Sequence, residues 1–142
     1  MNASETILVV DPDPAVLHDV SLILEPHGYR LLTARHGREA IRKFETSKIP
    51  VNLLLTAVMM PGLSGFDVAG SLTQWNGRLG VIFMSEYNRE TLFAEKADDG
   101  RYFVRKPITG EALLQKVRDA LVERRRPAVS AASPATASAL TA

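Results

Sequence analysis

The chain has 142 residues, 46% hydrophobic and 23% charged, which is enough for one domain with its own core and leaves no room for a second. Seventeen basic against sixteen acidic residues give a net charge of +1, so bulk charge offers no reason to expect nucleic acid or an anionic membrane as partner. The absence of cysteine excludes disulfides, thiolate metal sites and a cysteine nucleophile, and suits a reducing compartment. No stretch approaches the ~18 apolar residues of a membrane span, and the first six residues lack the basic start and apolar run of an export signal. The expectation is a soluble, cytoplasmic protein.

From Ile7 to Leu121, short apolar runs alternate with amphipathic stretches, the pattern of parallel strands joined by crossover helices. Ile7 to Val10 predicts a first strand, and Val16, Val20, Ile23 and Leu24 recur at helical spacing until Pro26-His27-Gly28 ends the pattern. Tyr29 to Ala34, interrupted by Arg30, predicts an edge-like second strand, followed by a helix that turns Ala40, Ile41 and Phe44 inward. Val51 to Thr56 is nearly continuous apolar sequence, as expected of a central strand covered on both faces. Phe66, Ala69, Leu72 and Trp75 mark the next helix. Val81 to Met84 and Tyr102 to Val104 predict strands four and five, and Leu113, Leu114, Val117, Ala120 and Leu121 the stripe of a last helix beginning at Thr109 or Gly110. Between those two strands, only a brief helical pattern around Thr91 to Lys96 is visible, so a short or irregular fourth helix is expected there. Residues 127 to 142 are alanine, serine, threonine and proline apart from Val129 and Leu140, a composition that cannot repay the entropy of ordering. The expected organisation is an N-terminal extension over 1–5, one domain over 6–123 and a flexible tail over 124–142.

In a doubly wound sheet, ligands bind beyond the carboxyl ends of the strands, near the point where strand order reverses. Here the first strand runs into Asp11-Pro12-Asp13-Pro14, the third into Ala57, the fourth into Ser85-Glu86 and the fifth into Lys106-Pro107. Acids, a hydroxyl and a lysine are thereby expected to converge. The segment Leu53-Leu54-Leu55-Thr56-Ala57-Val58-Met59-Met60-Pro61-Gly62-Leu63-Ser64-Gly65, with these flanking motifs in the same order, resembles the phosphorylation-site region of response-regulator receiver domains over roughly residues 6 to 122. The resemblance implies a flavodoxin-like α/β fold, a five-stranded parallel sheet between two layers of helices. It also implies a role in two-component or phosphorelay signalling, with a histidine kinase, a phosphotransfer protein or another regulator as partner.

In that family two adjacent acids after the first strand help hold Mg²⁺, an aspartate ending the third strand accepts the phosphoryl group, a Ser or Thr after the fourth contacts it, and the lysine of a Lys-Pro pair neutralises it. The resemblance places Asp11, Ser85 and Lys106 at matching positions and Phe103 at that of the family's conformational reporter. It places Ala57 at the phosphoacceptor and Pro12 at the second acid. A methyl group cannot attack phosphorus, and Ala57 and Pro12 each remove an oxygen that Mg²⁺ would need. No cofactor is expected, and Mg²⁺ binding should be weak or absent. Asp13 either leans in to replace the missing acid or, standing before Pro14, caps the first helix, the reading favoured by its sequence context. Glu86 occupies a position that is usually small in the family. Its carboxylate, or that of Asp11, is expected to pair with Lys106 and lock one conformation, unless Glu86 simply faces solvent.

Singly, Ser85 and Lys106-Pro107 read as a strand end and a turn; the joint pattern raises them. Trp75 and the Met59-Met60 pair are expected to be packing residues, and His18, His27 and His36 surface residues without chemistry. The glycines at 62 and 65 do not form a phosphate-binding loop, and no enzyme activity is expected. The function expected is a stand-alone atypical receiver acting by protein contact. The alternatives are an engineered phosphorylation-dead variant, an acceptor using another residue, and an unrelated flavodoxin-like enzyme or cofactor binder. Pro12 and Glu86 argue for natural degeneration over design, because a designed block would leave the rest of the site intact.

Overall fold

Apolar side chains at every position of an inner strand can be buried only if the sheet is covered on both faces. A computed structural model describes residues 5–87 and 103–125 and has this arrangement. Its strands are β1 (Thr6–Val10), β2 (Arg30–Ala34), β3 (Leu53–Ala57), β4 (Gly80–Ser85) and β5 (Phe103–Arg105). All neighbours are parallel, in the order β2-β1-β3-β4-β5. The helices are α1 (Pro14–Leu24), α2 (Gly37–Thr46), α3 (Gly65–Trp75) and a last helix, Gly110–Arg125. This is the flavodoxin-like three-layer fold, with β3 central and β2 at an edge, as the apolar patterning predicted.

Period-two alternation divides the strand residues between two cores. Ile7, Val9, Leu53 and Leu55 pack with Val20 and Leu24 of α1 and with Leu113 and Val117 of the last helix. Leu8, Val10 and Leu54 turn the other way, onto Ala40 of α2 and Val68 and Leu72 of α3. Full burial of one such aliphatic side chain contributes about 1.5–3 kcal/mol, so the two layers hold the strand ends in fixed register.

The first helical pattern ends as expected: Pro26 lies in a 3₁₀ turn, Glu25–His27, closed by Gly28 at a left-handed φ of 94°. β3 begins two residues later than predicted. Val51 is buried but lies outside the ladder, so apolarity there reports burial and not pairing. The packing expectation fails for Met59, which is 63% exposed. Trp75 is 56% exposed, yet its ring rests on Phe44 at 5.9 Å. Met60 packs on the edge of the α2–α3 core. The helix expected near Thr91 to Lys96, Tyr102 and the tail from residue 126 lie outside the described residues. No helix among the described residues is long and apolar enough to cross a membrane.

Candidate functional site

Strand order reverses between β1 and β3, and the register there fixes which residues meet. Val10 pairs with Thr56, Ala57 with Met84, and Ser85 with Arg105. Asp11, Ala57, Ser85 and Lys106 therefore end in one row along the carboxyl edge of the sheet. The row is tied by backbone bonds, from Asp11 N–H to the Ala34 carbonyl (3.0 Å), from Val58 N–H to Met84 (3.1 Å) and from Lys106 N–H to Ser85 (2.8 Å).

The Lys106 ammonium donates to Asp11 Oδ2 at 2.8 Å. The Asp11 side chain is 2% exposed and that of Lys106 18%, so the pair is largely withdrawn from water, where attraction is stronger and an unpaired charge far more costly. The other carboxylate oxygen, Oδ1, accepts the Asp13 N–H at 2.9 Å. Both oxygens of Asp11 are thus engaged. The Lys106–Pro107 peptide is cis.

Asp13 is the N-cap of α1: its Oδ1 accepts the Ala15 N–H at 2.9 Å, and Pro14 follows at the first helical position. Ser85 is buried, with its hydroxyl accepting the Tyr87 N–H at 3.0 Å. Glu86 is exposed and its backbone carbonyl accepts the Arg105 Nε–H at 3.2 Å; among the described residues its carboxylate pairs with no cation. Phe103 is half-buried, in register with Phe83, whose ring packs on Phe66 at 4.9 Å.

Ala57 is buried at the end of β3, and its carbonyl accepts the Thr56 hydroxyl at 2.9 Å. Gly65 opens α3 directly against it. A Cβ on Gly65 would lie 2.1 Å from the Ala57 carbonyl oxygen, and the Gly65 N–H donates to the Val58 carbonyl at 2.9 Å. Chain returning from the loop can approach this closely only where no side chain intervenes. Among the described residues, no group of three or more His, Asp or Glu side chains gathers as a metal would require.

Composition gave no signal for the neighbouring β2–α2 loop. His36 caps α2, Nδ1 accepting the Glu39 N–H at 3.2 Å, while Glu39 Oε1 accepts the Arg35 N–H at 2.8 Å. The His36–Glu39 spacing is that of a capping box, but the carboxylate reaches one residue further back, to Arg35 and not to the cap's own N–H. The donated Arg35 N–H, and Lys43 at 3.3 Å, hold the Glu39 carboxyl below its ordinary pKa. A carboxyl lowered in the folded state adds stability that is present at neutral pH and lost as pH falls below the ordinary carboxylate range through the lowered value. Glu39→Gln is expected to cost up to about 1 kcal/mol at pH 7 and less than that at pH 3, read as urea midpoints at the two pH values. An equal loss at both would reject the ionic contribution.

The sequence profile described as "Response regulator receiver domain" matches residues 7–118. Protein PilH of Pseudomonas aeruginosa is 30% identical over 118 residues, covering 81% of this chain and 96% of PilH. Response regulator RR06 of Streptococcus pneumoniae is 31% identical over 122 residues, covering 83% of this chain; the chain spans 53% of RR06. Among solved structures, a response regulator receiver domain protein from Clostridium thermocellum superposes with a TM-score of 0.75 at 24% identity, covering 85% of this chain and 97% of that one.

Proposed function

The chain belongs to the response regulator receiver family of two-component signalling, and from that premise we propose that it is an atypical receiver, with its domain over 6–123, that accepts no phosphoryl group at the usual position and signals by protein contact. The observation that carries this reading is the Lys106–Asp11 pair at 2.8 Å beside the buried methyl group of Ala57. In the proposed assignment Ala57 stands at the phosphoacceptor position. Lys106, the cation that would neutralise a bound phosphoryl group, is already neutralised from within. Such a pair holds one arrangement of the β5 end without a modification to stabilise it. Ser85 and Phe103 keep the switch positions, and Glu86 faces solvent. No group in this row serves as nucleophile or general base, so the proposal assigns no enzymatic activity.

Receiver domains bind Mg²⁺ at an acidic pocket when active. The donors here do not fit that ion. Mg²⁺ demands near-octahedral oxygen ligation with one or two carboxylates, whereas Asp11 has both oxygens engaged, Asp13 caps α1, and positions 12 and 57 offer no side-chain oxygen.

The test is phosphoryl transfer from acetyl phosphate, with intact mass as readout, alongside a melting curve in millimolar Mg²⁺. The chain is expected to gain no phosphoryl adduct and to melt at an unchanged temperature. A variant carrying Pro12→Asp and Ala57→Asp is expected to be stabilised by Mg²⁺, because clustered carboxylates repel by up to about 4 kcal/mol per pair near 4 Å and a cation relieves this. A stoichiometric adduct on the unmodified chain, at any residue, would overturn the proposal.

A further inference from the structure

A groove of about 660 Å³ opens beside the strand-end row, where the loops after β1, β2 and β3 meet. That volume lies in the range of small-molecule sites. Pro12, Pro61 and Leu63 make part of its lining apolar, and Arg35 and Arg38 bring two cations to the same lining. Neither arginine pairs with a carboxylate among the described residues; Arg35 makes a long contact, 3.4 Å, from Nη2 to the Pro12 carbonyl. Glu39 also lines the groove, but its carboxylate is held by the Arg35 N–H and by Lys43. The backbone N–H of Glu39 is occupied by His36, so the positive character of the groove comes from the two side chains and not from the helix end.

We propose that this groove is a binding site for an organic phosphomonoester, its phosphate on Arg35 and Arg38 and its body on the proline and leucine lining. Two guanidinium groups match the charge of about −1.5 to −2 that a phosphomonoester carries at pH 7. Each can also present two parallel N–H donors to phosphate oxygens. The apolar lining and the volume call for more than free phosphate. Nothing in the site involves Ala57, so this inference stands apart from the proposed loss of phosphoryl transfer.

The test uses the ¹⁵N-labelled full chain titrated with phenyl phosphate, AMP and glucose 6-phosphate in separate arms, with inorganic phosphate and phenol as controls. At least one phosphomonoester is expected to produce saturable shifts at the amides of residues 35–39 and 62–63, with an affinity about tenfold tighter than inorganic phosphate, which is about 1.4 kcal/mol. The paired substitution Arg35→Gln and Arg38→Gln, at exposed positions, is expected to leave the melting temperature unchanged and weaken binding at least tenfold. Affinity equal to that of inorganic phosphate, shifts that persist in the paired variant, or no saturation by any of the three esters would each overturn the proposal. None of these outcomes bears on whether the chain accepts a phosphoryl group, so the two proposals fail independently.

Discussion

Replacing Lys106 by methionine is expected to cost about 3 kcal/mol of folding stability, the lower end of the range for breaking a buried pair, because it strands the Asp11 carboxylate where only 2% of the side chain meets water. Asp11→Asn should cost less, about 1.5 kcal/mol: the amide oxygen can still accept the Asp13 N–H, and Lys106, 18% exposed, retains some hydration. The asymmetry follows from burial and not from charge. The double variant, with neither charge present, is expected to lose about 2 kcal/mol, well short of the sum of the two single losses. Urea denaturation of the four proteins measures the cycle. Strict additivity would mean that the two groups are not coupled in solution, and the internal neutralisation on which the proposed function rests would fall with it.

The second large effect is expected at Gly65. An alanine there would place its methyl carbon 2.1 Å from the Ala57 carbonyl oxygen and 3.1 Å from the Val58 Cα, and both obstacles are backbone, at the end of the central strand and directly after it. The overlap can be relieved only by moving α3 away from β3, at an expected cost of about 3 kcal/mol or more, beyond ordinary overpacking. Two other glycines serve as references. At Gly37 the nearest obstacles are the Leu63 Cβ and a Val68 methyl at 2.8 and 2.9 Å, farther off than the 2.1 Å at Gly65 and not in a central strand, so about 1–2 kcal/mol is expected. At Gly70, inside α3, nothing lies within 4 Å of an added Cβ, and alanine should stabilise by about 0.5–1 kcal/mol. If melting temperatures failed to rank Gly70→Ala above Gly37→Ala above Gly65→Ala, the close approach of α3 to Ala57 would be wrong.

The strands were legible because burial on both faces demands unbroken apolar runs, and Leu53 to Leu55 could hardly serve elsewhere. The row of site residues was legible for a related reason: parallel strands all present the same end, so residues following each run must neighbour one another. What joins Lys106 to Asp11 was not decided by either argument. The two are 95 positions apart, and the choice between Asp11 and Glu86 as the lysine's partner depends on side-chain directions that a sequence does not carry. Met59 was misjudged because the packing argument rests on periodicity, and it lies in a loop where no period applies. His36 passed unnoticed as a cap because histidine is not among the preferred N-cap residues, although Glu39 three positions later was a usable sign. The groove depends on three loops spread from Pro12 to Leu63, and no local pattern could have indicated that Arg35 and Arg38 line one groove with Pro61 and Leu63.

The contact between Trp75 and Phe44 has a practical consequence. Trp75 is the chain's one tryptophan, and it ends α3, whereas Gly65 at the other end of the helix abuts Ala57. The ten rises from Gly65 to Trp75 carry the backbone about 15 Å along the helix axis, away from the strand-end row. Indole emission therefore reports whether α2 and α3 remain packed while staying largely blind to charge changes near Lys106. Fluorescence and amide shifts measured on one sample can thus separate loss of the fold from a local rearrangement at the strand ends.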